Sequence, residues 1–97
     1  MESQDIFCQE LAEFVKNSVS SAELAKVFKA LLTPAEVESI VQRLSIFDGL
    51  SRGVAQRAIA ENLQVGIATV TRGSRAWQEY QRCLEKYFPR PMENTHA

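Results

Sequence analysis

Residues 56–75, QRAIAENLQVGIATVTRGSR, constrain the fold more than any other stretch of the chain. Two short helical periodicities meet there at a turn. The first, about Gln56 to Leu63, sets Ile59, Ala60 and Leu63 on one face. Gln64-Val65-Gly66 reads as a polar-glycine turn, and a second helical pattern begins at Ile67. The spacing is that of a helix-turn-helix. Early residues of the second helix are small or hydroxylated (Ala68, Thr69, Thr71), and Arg72 and Arg75 follow. Small side chains let a helix N-terminus come close to a phosphate or a base edge, and its unpaired N–H groups and positive dipole end favour an anion there. In helix-turn-helix proteins the second helix lies in the major groove of DNA. Periodicity alone leaves an ordinary helical hairpin open.

The rest of the chain reads as helix too, with no strand alternation and no Asn-Gly or Asp-Gly hairpin turn. A first helix is expected over about Gln4 to Asn17, striped by Ile6, Phe7, Leu11, Phe14 and Val15. Ser20-Ser21-Ala22-Glu23 has capping-box spacing and opens a second helix carrying Leu24, Val27, Phe28, Leu31 and Leu32. Thr33-Pro34-Ala35-Glu36 is the cleanest local signal: a capping hydroxyl, a proline at the first helical position and a glutamate that reaches back. It starts a long helix to about Arg52, striped by Val37, Ile40, Val41, Leu44, Phe47 and Leu50 and stopped at Gly53. Arg43 sits beside that stripe, as a snorkelling or solvated arginine on its residue type alone. Trp77, Tyr80, Leu84, Tyr87 and Phe88 recur at helical spacing and predict one face of a last helix ending near Pro89, with Trp77 as a core or dimer-interface anchor. Residues 1–88 read as one helical domain and 89–97 as a loose tail.

A chain of 97 residues buries only a modest fraction of its surface, and dimerisation is a natural way to complete its core. No apolar run approaches the length of a membrane span and the N-terminus is acidic, so a cytoplasmic protein is expected. Cys8 and Cys83 lie far apart in no metal-ligand spacing and are expected as buried or half-buried reduced thiols, with no metal. The net charge of -1 hides an asymmetry: three lysines stand against seven carboxylates up to Ile40, and eight basic residues against five acidic ones from Val41 onward. A basic half that carries the reading helix suits a nucleic-acid partner. Catalysis is not expected, because no paired carboxylates, Cys/His or Ser/His/Asp constellation or phosphate loop is present.

The block GIATVTRGS (Gly66 to Ser74), the string LLTPAE (Leu31 to Glu36) and Arg43 between them resemble the bacterial tryptophan operon repressor family. The resemblance covers about Leu31 to Ala76. It implies an all-α, intertwined homodimer of about six helices per chain that represses transcription by binding operator DNA, with L-tryptophan as corepressor. Helix-turn-helix docking is already the known mode of this family. By resemblance, Arg43 and Arg72 sandwich the flat indole ring, as guanidinium groups do on aromatic faces. Arg72 and Thr33 hold the ligand carboxylate, carbonyls at Leu32 and just before Thr33 accept from its ammonium group, and Gly73 leaves room along the pocket wall. Gly66, Ile67, Ala68, Thr69 and Thr71 match positions near bases and phosphates. Gln56 and Arg57 match the first motif helix, where the arginine reaches a guanine, and Arg75 adds charge near the DNA or the pocket.

The chain departs from the family pattern at several points. Ala76 stands where a serine usually meets the ligand ammonium, Arg75 replaces an asparagine, Ala55 replaces a capping hydroxyl and Ala60 a lysine. The stretch between Gly53 and Gln56 is one residue shorter. The connection after Ala76 is about three residues shorter, so the last two helices are expected to be fused or joined by a very tight turn. Two alternatives stand beside the tryptophan reading: the same DNA-binding regulator with another small aromatic ligand, and a helical protein–protein interaction module.

Overall fold

The computed structural model describes residues 3–17 and 20–91, and these form six helices with no strand among them. They are α1 (Ser3–Lys16), α2 (Ser21–Leu31), α3 (Pro34–Ser51), α4 (Gln56–Leu63), α5 (Ile67–Glu79) and α6 (Gln81–Leu84). The chain divides into two compact units, Met1–Val37 and Glu38–Ala97.

In the first unit the caps form as their sequences dictate. Ser20 is extended (φ -151, ψ 162), and its Oγ accepts from the Glu23 N–H at 3.1 Å. At the head of α3 the box closes in both directions: the Thr33 Oγ1 accepts from the Glu36 N–H at 3.1 Å and the Thr33 N–H donates to Glu36 Oε1 at 2.8 Å. A reciprocal pair of this kind satisfies two of the orphan N–H groups that every helix start leaves. The described residues of α1 and α2 include no buried side chain. Ile6, Phe7, Leu11, Phe14 and Leu31 are each at least half exposed.

The second unit has a core. Ile46 of α3, Ile59 and Ala60 of α4 and Val70 of α5 form its centre, with Leu50, Val54, Leu63 and Val65 packed around them. α5 buries Val70, Gly73, Ser74 and Trp77, an i, i+3, i+4, i+7 seam of the kind that presses one helix face onto a core. Gly53 stops α3 in the left-handed region (φ 78), where only glycine sits without steric cost.

The stripe foreseen on α3 omitted Ile46, which is 1% exposed and its most buried residue, while Ile40 and Val41 are each 50% exposed. The helix carries apolar residues on more than one side, and the one that meets α4 and α5 runs through Ile46, Phe47 and Leu50. The last helix is a single turn: α5 continues through Trp77 to Glu79, Tyr80 breaks it and α6 ends at Leu84. Tyr80 and Tyr87 are exposed, so the foreseen apolar face does not hold together. Trp77 is a core residue. Its ring lies 5.6 Å from Phe47 and 5.9 Å from Phe88, and Phe47 and Phe88 lie 5.8 Å apart, so the three aromatics enclose one another in tilted and edge-on contacts. Cys8 and Cys83, expected to be buried or half-buried, are both exposed.

The start of the foreseen tail is tied down. The Arg90 N–H donates to Asp48 Oδ1 at 2.8 Å, Arg52 Nη2 donates to the Arg90 carbonyl at 2.8 Å, and Arg52 Nε donates to Asp48 Oδ2 at 2.9 Å. Burial pushes the Asp48 carboxyl up, but the Arg52 hydrogen bond, the Arg90 N–H and the two positive charges outweigh it and hold the group below the ordinary 3.8. These bonds tie down the segment that carries Phe88, two residues before Arg90. Residues 92–97, the rest of the foreseen tail, lie outside the described residues.

Candidate nucleic-acid interface

α4, the turn and α5 fall where the sequence sets them: Gln56–Leu63, then Gln64 to Gly66, then a helix from Ile67. The turn is built differently from a polar-glycine reading. Gln64, not the glycine, takes the left-handed conformation (φ 57, ψ 47), and its N–H and that of Val65 return to the carbonyl of Ala60. Gly66 is the N-cap of α5 with ordinary extended angles (φ -70, ψ 151) and no side-chain cap bond. A Cβ built on Gly66 would meet no atom within 4 Å. The fold itself therefore makes no demand for glycine at this position.

The N-terminal end of α5 stands clear of the core. Gly66, Ile67 and Ala68 are exposed, Thr69 is half-buried, and Arg72 and Arg75 are exposed on the same helix. Arg72 Nη2 reaches Thr69 Oγ1 at 3.4 Å, a long contact within one turn. Arg57 is exposed on α4. It lines an open groove of ≈ 520 Å³ together with Ala60, Glu61, Gln64, Val65 and Ile67. Three arginines and a bare helix start suit an anionic, closely approaching partner.

Two residues matched to DNA contacts bond to each other within the protein. Thr71 Oγ1 donates to Gln56 Oε1 at 3.2 Å, and Gln56 Nε2 donates to Ser74 Oγ at 3.2 Å. Ser74 is 6% exposed and ends the GIATVTRGS block, which assigns it no contact. Its signal was available in the spacing: two hydroxyls at i and i+3 on α5, opposite a glutamine at the start of α4.

The residues matched to ligand contacts fall in both units. In the first, Leu32 is the half-buried C-cap of α2 and its N–H bonds the Phe28 carbonyl. Thr33 is occupied in the capping box, although its hydroxyl accepts there and keeps a proton to donate. In the second unit Arg43 and Gly73 come together: a Cβ on Gly73 would lie 3.6 Å from Arg43 Cδ and 2.8 Å from Ile46 Cγ2. Gly73 is buried, so its missing side chain makes room for Ile46 and for the aliphatic stem of Arg43. Arg43 and Arg72 both leave their guanidinium-bearing side chains exposed.

Comparison with known proteins adds the following. A family model described as Trp repressor protein matches residues 7–90. A protein of Vibrio parahaemolyticus named Trp operon repressor homolog is 42% identical over 67 residues, 68% of this chain and 65% of that protein. Proteins of the same name from Vibrio campbellii and Aliivibrio fischeri are 40% identical over 67 residues and 39% identical over 61 residues. These cover 68% and 62% of this chain, and 67% and 56% of the relatives. The chain thus spans about two thirds or less of the length of these relatives. No solved structure matches the chain.

Proposed function

Because the chain belongs to the Trp repressor family, we propose that it is a transcriptional repressor that binds operator DNA as a homodimer, with L-tryptophan as corepressor. The observation that carries the DNA reading is the open start of α5. Gly66 is glycine without any internal need for it, and Ile67 and Ala68 extend the bare surface. Backbone N–H groups of such a helix start can reach a phosphate that a larger side chain would hold away. Arg57, Arg72 and Arg75 supply the counter-charge, and Thr69 a hydroxyl.

The homodimer is supported by what a single chain leaves uncovered. α1 and α2 bury no described side chain, and Ile6, Phe7, Leu11, Phe14, Leu31, Ile40 and Val41 are at least half exposed. Each unit thus leaves large apolar side chains uncovered, and a second chain is the natural cover. Two chains would present two copies of α5 to successive major grooves, the arrangement already known for this family.

For the ligand, Arg43 and Arg72 offer planar cations to the faces of an indole, and the Arg72 guanidinium also suits a carboxylate. The Ala76 side chain has no polar atom to meet an ammonium group, which favours a second reading: a planar aromatic carboxylate lacking that group. No described helix is long and apolar enough to cross a membrane. The described residues hold no cluster of metal ligands. We place the protein in the cytoplasm, where DNA and free tryptophan are both available.

The test is selection of duplexes from a random-sequence pool by the whole protein, with and without L-tryptophan. A palindromic consensus enriched only with tryptophan is the expected result. Enrichment with indole-3-propionate but not tryptophan would move the effector to the second reading. Failure to enrich any sequence would leave a protein-interaction module as the surviving account.

A further inference from the structure

We propose that Gln56 serves DNA recognition as a positioning residue, clamping α5 to α4 through its side-chain amide rather than touching the DNA itself. The inference rests on the DNA-binding reading above and says how its reading helix is aimed.

Gln56 is the first residue of α4, and Thr71 and Ser74 lie one turn apart on α5. A primary amide carries its acceptor and its donor on two separate atoms at one end, so it can meet two partners at once in opposite senses. Here the acceptor takes the Thr71 hydroxyl proton and the donor meets Ser74 Oγ, both at 3.2 Å. The three side chains are half-buried or buried, and the Ser74 residue retains only 6% of its exposure. The apolar contact between the helices, Ile59 and Ala60 against Val70, is centred further along α4. Apolar packing resists separation but is weakly directional, whereas a two-point polar bridge at the end of α4 resists rotation of α5 about that contact. Direction is what a reading helix needs, since a shift of about an ångström at its tip displaces every contact it makes. The clamp also fixes the hydroxyl chemistry of Thr71. While its proton is held by Gln56, Thr71 presents lone pairs outward, and a phosphate, which only accepts, gains no hydrogen bond from it.

The experiment compares wild type with Gln56→Met, which keeps length and removes both polar ends, with Ser74→Ala, and with the double variant. Thr71→Val provides a third break in the bridge if either of these folds poorly. Hydrogen exchange is measured on the DNA-free protein. Affinity is measured for a duplex selected by wild type and for a scrambled duplex. Each single variant is expected to speed exchange of α5 amides about tenfold and to cut the selected-to-scrambled affinity ratio about tenfold. The double variant is expected to lose no more than either single one, because all three break one bridge. A buried Ser74 has no route to DNA, so its effect is the signature of positioning. The proposal is overturned if Ser74→Ala leaves both readouts unchanged while Gln56→Met lowers affinity, or if the two losses add fully. If wild type selects no duplex, the repressor reading fails, and unchanged α5 exchange in both variants would then remove the clamp as well.

Discussion

Replacing Gly73 with alanine adds one methyl group where α5 meets Ile46 of α3. The new Cβ would sit 2.8 Å from Ile46 Cγ2, a separation that packed carbon atoms do not tolerate, and 3.6 Å from both Ile46 Cβ and Arg43 Cδ. Ile46 is 1% exposed and β-branched, so its Cγ2 cannot swing aside as the tip of a long side chain would. Overpacking of this kind costs about 1–3 kcal/mol. Against it stands the helix preference for alanine over glycine, about 1 kcal/mol in favour of the variant. The net expectation is a loss of about 1 kcal/mol, read as a lower urea midpoint at fixed protein concentration. Ile46→Leu moves the branch from Cβ to Cγ and removes the clashing methyl at nearly constant volume. In that background only the helix preference remains, and Gly73→Ala should stabilise by up to about 1 kcal/mol. The double-mutant cycle should therefore show a coupling of about 1–3 kcal/mol. Additive effects, or a Gly73→Ala variant that is stabilised without the Ile46 change, would refute the packing that brings Arg43 alongside α5.

Three further outcomes follow from the same geometry. Ala55 caps α4 in extended conformation without a side-chain bond, so Ala55→Ser should raise stability by about 1 kcal/mol in urea titration; an unchanged midpoint would mean the exposed N–H groups are already satisfied. Gly66→Asp should stabilise the fold by roughly 0.3–1 kcal/mol, as a capping carboxylate at a positive helix end, while lowering affinity for a selected duplex at least tenfold; retained affinity would show that the start of α5 does not face phosphate. Asp48 is held below 3.8 in the folded state, so its contribution is fully present above the unfolded value and is lost as pH falls through the lower folded one. In acid titrations followed by Trp77 fluorescence, the stability gap between wild type and Asp48→Asn should be constant at neutral pH and close below about pH 3.8. Parallel curves throughout would disconnect Asp48 from the Phe88 loop.

Local signals read well from the sequence where a few adjacent residues decide the outcome. Thr33, Pro34 and Glu36 specify a capping box that forms in both directions, and the bounds of α4 and the start of α5 follow from periodicity. What resisted reading depends on distant partners. The burial of Ile46 is not legible on α3 because the helix offers apolar residues on several sides, and partners on α4 and α5 (Ile59, Ala60, Val70 and Gly73) decide which side is covered. Trp77 shares its spacing with Tyr80 and Leu84, yet it packs against Phe47 of α3 and against Phe88, whose segment is tied to α3 by the Asp48–Arg52–Arg90 bonds. Gln56 and Thr71 were legible as polar residues of a reading motif. That they meet each other, with Ser74 as third member, needed the angle between two helices.

The central claim is an aromatic ligand held by Arg43 and Arg72 that aims α5 at DNA. Fluorescence anisotropy of a labelled, selected duplex, titrated with the protein at zero and at saturating L-tryptophan, measures that coupling directly. The account predicts at least tenfold tighter binding with tryptophan in wild type, about 1.4 kcal/mol of coupling, and none in Arg72→Ala. Equal affinity at both ligand concentrations, with wild type still binding the duplex, would contradict it.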